Sequence, residues 1–367
     1  MKSSLSKGIQ IESIVDISFF AFLITEFGYK HSSIGQSGII VFAISTLLLV
    51  YKKKRIAISY YFIISIIFIL YNYLNAKTGF SINPNTSLKM INTLVTNFFI
   101  LFIAFNYFVL RNDTKKVLSI IINATLLFSA IVALRSLPYI FNKRLGSALG
   151  INANTLAIIS GFALILAYYR YTLTKKKLDL VIIIYMLLIV LLTGSRKGLF
   201  VSILGPILLL LLQFKRRRIK YLIIGAIITS TILILIMYIP ALYSIIGFRI
   251  EAIINYILND STEEASLRTR MSFVKLGWQY FKKEPWRGIG IDTFRHLPGS
   301  YKTYSHNNFI EILVSGGIIG FTLYYLNYLI VLLKGLYVSR KCSGLSSLCL
   351  SLVIMILFLD YGMVSYY

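Results

Sequence analysis

Eleven apolar runs of about 14 to 27 residues recur along this chain, most of them near the length that crosses a hydrocarbon core of roughly 30 Å. They are Gln10–Phe27, Gln36–Val50, Ile56–Leu74, Leu88–Leu110, Val117–Leu137, Asn152–Tyr169, Leu178–Leu192, Leu199–Phe214, Tyr221–Ile239, Asn307–Leu333 and Leu345–Phe358. An unpaired backbone amide or carbonyl is costly in lipid, so each run is expected to be a helix. Solid stretches of Ile, Leu, Val and Phe exclude barrel strands, in which apolar and polar residues alternate. The expected fold class is therefore all-α: a polytopic membrane protein with about 11 transmembrane helices and one large helical loop outside the membrane. Hydrophobic residues are 57% of the 367, which leaves the polar chemistry concentrated between Ala241 and Ser305.

The net charge of +25 would suit nucleic acid if it gathered on one face of a soluble module. Instead it falls at every second connection: Lys52-Lys53-Lys54-Arg55, Arg111 with Lys115-Lys116, Arg170 with Lys175-Lys176-Lys177, Lys215 to Lys220, and Lys334 with Arg340-Lys341. With Lys2 and Lys7 these hold 21 of the 38 Lys and Arg. That asymmetry is the positive-inside pattern, so these loops and the N-terminus are expected in the cytoplasm, with no nucleic acid as partner. The first run carries Glu12 and Asp16 and has no small-residue cleavage site after it, so it reads as a retained helix. Cys342 and Cys349 would lie about 10 Å apart on one helix, too far for a disulfide, and read as packing residues.

On this topology the segments near Gly28–Gly35, Asn75–Ser87, Pro138–Gly150, Thr193–Lys197 and Ala241–Ser305 face outward. The last is several-fold the longest, and long loops carry function or structure of their own. Between Ala265 and Lys283, the residues Leu267, Met271, Val274, Trp278 and Phe281 recur at helical spacing, within about 40° of one line. This helix should pack on something apolar. At about 100° per residue, Arg270 lies some 60° from the stripe's centre, at the edge of packed space, and Arg268 about 100° away on the other side.

The histidines are His31, His296 and His306, without an i, i+4 pair. No Asp-x-Asp or cysteine–histidine metal pattern appears, so neither a metal nor another cofactor is expected. Gly288-Ile289-Gly290 reads as a tight turn after Pro285-Trp286, and no phosphate-loop lysine motif exists. Arg196, in the short link Thr193-Gly194-Ser195-Arg196-Lys197-Gly198, has two readings. It is a snorkelling arginine at a helix end, or a rigid guanidinium matched to a diphosphate fork. The turn from Arg144 to Gly150, followed by Asn152-Ala153-Asn154, either helps to bind sugar or caps the next helix. His306 by itself reads as a helix cap. Glu311 shares a helix face with Asn307 and is about 140° from His306, so it is a poor orienting partner for the imidazole and is expected in a buried ion pair with an arginine. Lys197 and Arg287 are supporting candidates.

In order, these pieces resemble the O-antigen ligase and polysaccharide polymerase superfamily. The matching segments are Arg144 to Asn154, Thr193-Gly-Ser-Arg196, Arg270 through Pro285 to Gly288-Ile-Gly290 and Phe294, and His306-Asn307 with Gly317 and Gly320. The likeness runs from about Arg144 to Phe321, so the expected division is helices over residues 1–143 and a ligase-like membrane domain over 144–367, with its outer loop at 241–305. Relatives often carry an acidic residue where Ser315 stands. The chain also ends at Asp360-Tyr-Gly-Met-Val-Ser-Tyr-Tyr367 without the further helix or basic tail of many relatives, as a truncated form would.

The resemblance implies a multi-pass protein of the bacterial cytoplasmic membrane with its active site outside. It would move an oligosaccharide from an undecaprenyl diphosphate carrier onto an acceptor hydroxyl, inverting the anomeric centre without a metal. Arg196 and Arg270 would steady the diphosphate, with Arg144, Asn154 and Asn307 binding substrate, and His306 would serve either as base or as orienting group. The acceptor is a carrier-linked glycan in polymerases and a lipid A core in ligases, and other polysaccharide export proteins are implied partners. A composition rich in Ile, Lys, Asn and Tyr suits an AT-rich genome, many of which belong to bacteria without an outer membrane, and this favours the polymerase. A lipid-linked sugar flippase is the rival of another class. Transporters place charge near the bilayer midplane on repeated, interrupted helices, and here Arg135 is the main ionisable residue of the middle helices.

Overall fold

The computed structural model describes residues 2–29, 32–139, 143–259, 265–341 and 344–366; His31 and Cys342 lie outside the described residues. Regular structure among them is helical, with no strand. The helices are α1 Lys2–Tyr29, α2 Ser33–Lys53, α3 Tyr60–Lys77, α4 Pro84–Arg111, α5 Thr114–Ser136, α6 Ala153–Thr174, α7 Lys177–Thr193, α8 Arg196–Gln213 and α9 Arg218–Tyr238. The short α10 Pro240–Leu242 leads through a π-helical turn, Tyr243–Gly247, into α11 Phe248–Asn259. Then come α12 Ala265–Lys283, α13 Asn308–Lys341 and α14 Gly344–Asp360. Each apolar run overlaps one of these helices, although Ile56–Ser59 precede α3 outside regular structure. Seven helices among the described residues (α2, α4, α5, α6, α8, α9 and α13) are long and apolar enough to cross a membrane, and α14 is apolar but shorter.

The chain forms two compact units. The first comprises Met1–Ala57, Ile103–Ile254 and Lys341–Leu352, and the second Ile58–Phe102, Asn255–Arg340 and Val353–Tyr367. In the first, α6 and α8 meet at Gly198, where a Cβ would lie 2.4 Å from that of Ala157. Small residues allow such approach where lipid supplies no hydrophobic drive. Acidic residues here are paired, as lipid demands: Asp16 with Arg111 at 3.0 Å, Glu12 with Lys53 at 2.9 Å, and Asp179 with Arg170 at 2.7 Å. Cys349 is a free, exposed thiol and not the packing residue expected.

The second unit corrects the expectation of one continuous helix over Asn307–Leu333. Helix α13 is broken at Gly317, whose φ of 61° and ψ of −164° are not helical. The piece before the break folds back along the piece after it. Asn308 Nδ2 donates to the Tyr325 hydroxyl at 3.0 Å, and the rings of Phe309 and Tyr325 stack with centroids 5.0 Å apart. In a straight helix those residues would be about 25 Å apart. A break orphans carbonyls on one side and N–H groups on the other, and the segment 285–290 satisfies both. Ile289 and Gly290 donate to the carbonyls of Val314 and Ser315 at 2.9 Å each, while Ile318 donates to Pro285 O at 2.8 Å and Ile319 to Trp286 O at 3.3 Å. Tyr71 of α3 donates its hydroxyl to Gly316 O at 2.8 Å. The Gly288-Ile289-Gly290 turn is thus the lock on the break: a Cβ on Gly317 would lie 2.3 Å from Trp286 C, and one on Gly288 2.5 Å from Ser315 C.

Helix α12 packs by a face different from the expected stripe. Phe273 is 1% exposed, and Gly277 is so close to α13 that a Cβ would meet Ile310 Cγ2 at 2.2 Å. Trp278, expected inside, is 44% exposed. The side chain of Leu267 lies outside the described residues. Phe273 and Gly277 are about 40° apart on the helix, and the cluster they face is Ile289, Phe294, Leu297, Ile310 and Val314.

Candidate functional site

In the first unit the cations gather around the start of α8. Gly194 ends α7 in the left-handed region, φ 60, and a Cβ there would lie 2.6 Å from Ile245 O, so the 193–196 turn rests directly on the π-helical turn. Ser195 caps α8 by accepting the Gly198 N–H, which puts Arg196 on the first helical residue, beside the positive end of the helix dipole. Arg144 reaches into the same turn: its Nε donates to Thr193 O at 2.6 Å and its Nη2 to Asn154 Oδ1 at 2.9 Å. Arg196 Nη1 donates to Arg249 O at 3.0 Å, and the Arg249 guanidinium lies 5.5 Å from the Phe248 ring centroid.

Burial pushes the Arg144 guanidinium down to about 10, and the positive charges of Arg249 and then Arg196 push the same way. It remains a cation at neutral pH, held among like charges. Among the described residues Arg144 makes no ion pair. Of the two amides proposed for this turn, Asn152 caps α6 through the N–H groups of Asn154 and Thr155, and Asn154 orients Arg144. Arg249 was not anticipated from sequence. No local motif marks it: it follows Gly247-Phe248 at the end of a long apolar stretch. Lys197 is half-buried beside Arg196.

The second unit holds the remaining candidates. Arg270 is partly buried and Arg268 exposed, so the contrast expected between them stands even though the packed face differs. Arg270 is one helical turn before Phe273, and residues so spaced are neighbours on a helix surface. His306 lies parallel to that Phe273 ring, with centroids 6.2 Å apart and planes at 6°, and the Tyr304 ring is 4.3 Å away. Helix α12 thus carries both Arg270 and the Phe273 ring that His306 faces. His306 is not the helix cap; Asn307 is, its Oδ1 accepting the Ile310 N–H at 3.1 Å.

Glu311 is fully buried. The ion pair expected with an arginine is not formed among the described residues, and Arg295 acts on Glu311 only through its charge. The Glu311 Oε2 accepts the Ser305 N–H at 2.7 Å. Arg287 is exposed and lies over the Phe80 ring at 4.3 Å, while its carbonyl accepts from Asn75. Nearby, Asp292 pairs with Arg295; burial raises its carboxyl, and Arg295 offsets part of that rise.

Chemically, the first unit offers a cationic cradle at a helix N-terminus, suited to an oxyanion. The second offers an imidazole parallel to the Phe273 ring and tilted against that of Tyr304. The profile of the family described as O-antigen ligase matches residues 181–325, a stretch that contains Arg196, Arg249, Arg270, Gly288, His306 and Gly317. No curated protein matches the chain. Over residues 181–325 the chain matches the O-antigen ligase family, which supports the resemblance of its motifs to the O-antigen ligase and polysaccharide polymerase superfamily.

Proposed function

We propose that this protein is an inverting glycosyltransferase that polymerises undecaprenyl-diphosphate-linked oligosaccharide repeat units, as for a capsule, exopolysaccharide or O-antigen, on the extracytoplasmic side of the cell membrane. The observation that carries the reading is the gathering of Arg144, Arg196 and Arg249 at the start of α8. Cations gathered at a helix N-terminus suit an anion, and a diphosphate leaving group gains negative charge as its bond to sugar breaks. Fixed charges of this kind stabilise the transition state more than the ground state.

In the reaction, an acceptor hydroxyl oxygen attacks the anomeric carbon from the face opposite the carrier. The bond from that carbon to the diphosphate oxygen breaks, and its electron pair leaves with the diphosphate. His306 takes the hydroxyl proton, a task suited to an imidazole near neutral pH. Arg196 and Arg270 are the residues assigned to the phosphates. No step is assigned to a metal, and the acceptor is a second carrier-linked repeat unit.

The second reading is transfer of a finished polysaccharide to a lipid A core, which the family match does not separate from the first. Purified protein supplied with only the carrier-linked repeat unit in detergent separates the two. A ladder of lengthening products on a gel supports the polymerase. Single-block transfer that appears only when a lipid acceptor is added supports the ligase and overturns the first reading. Polymer of normal length in cells, with blocked translocation of its precursor, would point to a flippase and overturn both.

A further inference from the structure

We propose that Glu311 is a positioning residue for His306: its buried carboxylate fixes the stretch of backbone on which the imidazole is mounted. The proposal rests on the reading of His306 as the group that takes the acceptor's proton. His306 occupies the left-handed region with φ 59, a conformation uncommon for a residue bearing a Cβ, though histidine adopts it more readily than most. The residues on either side of it are held by hydrogen bonds.

On one side, Ser305 is fully buried and donates its N–H to Glu311 Oε2 at 2.7 Å. On the other, Asn307 caps the first turn of α13 through Ile310 N–H at 3.1 Å, and its carbonyl accepts the Glu311 N–H at 2.9 Å. The Ser305 hydroxyl links the two flanks across His306, donating to Asn307 O at 2.8 Å and accepting the Asn307 N–H at 3.3 Å. Glu311 closes this ring, much as the glutamate of a capping box reaches back to the start of its own helix. The imidazole held by the ring keeps its parallel placement on Phe273.

The energetics favour a role beyond packing. A carboxylate with no exposed surface is expensive to bury, and an apolar side chain would fill the same volume without that cost. Glu311 makes no ion pair among the described residues, and its Oε1 has no hydrogen-bond partner there. The interaction that offsets part of its burial is the hydrogen bond from Ser305 N–H at 2.7 Å. That bond acts on the residue immediately before the imidazole. Because a misplacement of about 1 Å can cost on the order of 100-fold in rate, fixing this backbone has a direct catalytic value.

The test compares Glu311→Ala, Glu311→Gln and Ser305→Ala in the full-length protein in lipid nanodiscs. The readouts are kcat and donor KM with the carrier-linked repeat unit, and amide hydrogen exchange across residues 305–310. Glu311→Ala is expected to lower kcat about 10- to 100-fold, leave donor KM unchanged and speed exchange at 305–307. Glu311→Gln keeps an acceptor oxygen and is expected to restore most of both kcat and protection. Ser305→Ala, which removes only a hydroxyl, reports on the same ring should Glu311→Ala fail to fold, and is expected to lower kcat alone. Wild-type kcat in Glu311→Ala, unchanged exchange at 305–307, or a Glu311→Gln as slow as Glu311→Ala each overturns the proposal. The failure of the underlying reading looks different: His306→Ala would itself transfer at the wild-type rate while Glu311→Ala still loosened the amides.

Discussion

A guanidinium keeps its charge at any pH the cell meets, and three of them gather around one turn. The folded environment pulls the Arg144 guanidinium down to about 10 from 12.5. For a base, a lowered folded value means that folding disfavours the charged form. The cost is present at neutral pH and fades as pH rises through about 10 toward the unfolded value. An anion that relieves the repulsion should therefore stabilise the protein at pH 7. Inorganic pyrophosphate is expected to raise the Tm of the wild type measurably, to do so less at high salt, and to have little effect on Arg196→Ala. An equal shift in both proteins would contradict the cradle. Arg196→Ala and Arg270→Ala are each expected to lower kcat by about 100- to 1,000-fold, the range for losing one fixed donor to a developing anion. Arg268→Ala, on the exposed side of α12, should transfer at the wild-type rate. Arg196, Arg270 and His306 were legible because each sits in a short polar motif against an apolar background. Arg249 was not: nothing local marks it, and its importance arises from the contact of its carbonyl with Arg196, 53 residues away.

At the scale of elements, hydropathy located the helices but was blind to the break in α13. Both halves of that helix are apolar, and one residue's φ leaves no trace in a periodicity. The trace lay instead in paired glycines: Gly316-Gly317 on one side and Gly288-Ile289-Gly290 on the other. The two neighbours at the break make a controlled comparison. Gly316 has ordinary room, the nearest atom to a Cβ being Tyr71 Cε1 at 3.8 Å, whereas a Cβ on Gly317 would lie 2.3 Å from Trp286 C in a left-handed conformation. Gly316→Ala should leave Tm and activity near wild type, and Gly317→Ala should cost at least about 1–2 kcal/mol from backbone strain alone and lose activity with it. Equal tolerance at both positions would mean that the break is not built as described. The packed face of α12 was misread for a related reason. The stripe drawn through Trp278 counted apolar side chains, but the closest approach to α13 is made by Gly277, which has no side chain to count.

For the whole molecule, the basic connections predict sidedness. In a protein whose own cysteines are replaced by serine, a cysteine at Lys54 should react with an impermeant maleimide only from the cytoplasmic face, and one at Tyr301 only from the opposite face. Both positions are exposed, so failure to react cannot be blamed on burial. The same side for both would overturn the topology on which the proposed function depends. Removing divalent metal with a chelator should leave the transfer rate unchanged, since arginines are assigned the charge that a metal would otherwise carry. The most direct measurement is the rate at which undecaprenyl diphosphate is released from a carrier-linked repeat unit by reconstituted protein. We predict steady release by the wild type, and loss of on the order of 100-fold or more in each of Arg196→Ala, Arg270→Ala and His306→Ala, all still folded. Release at the wild-type rate by all three would contradict the account.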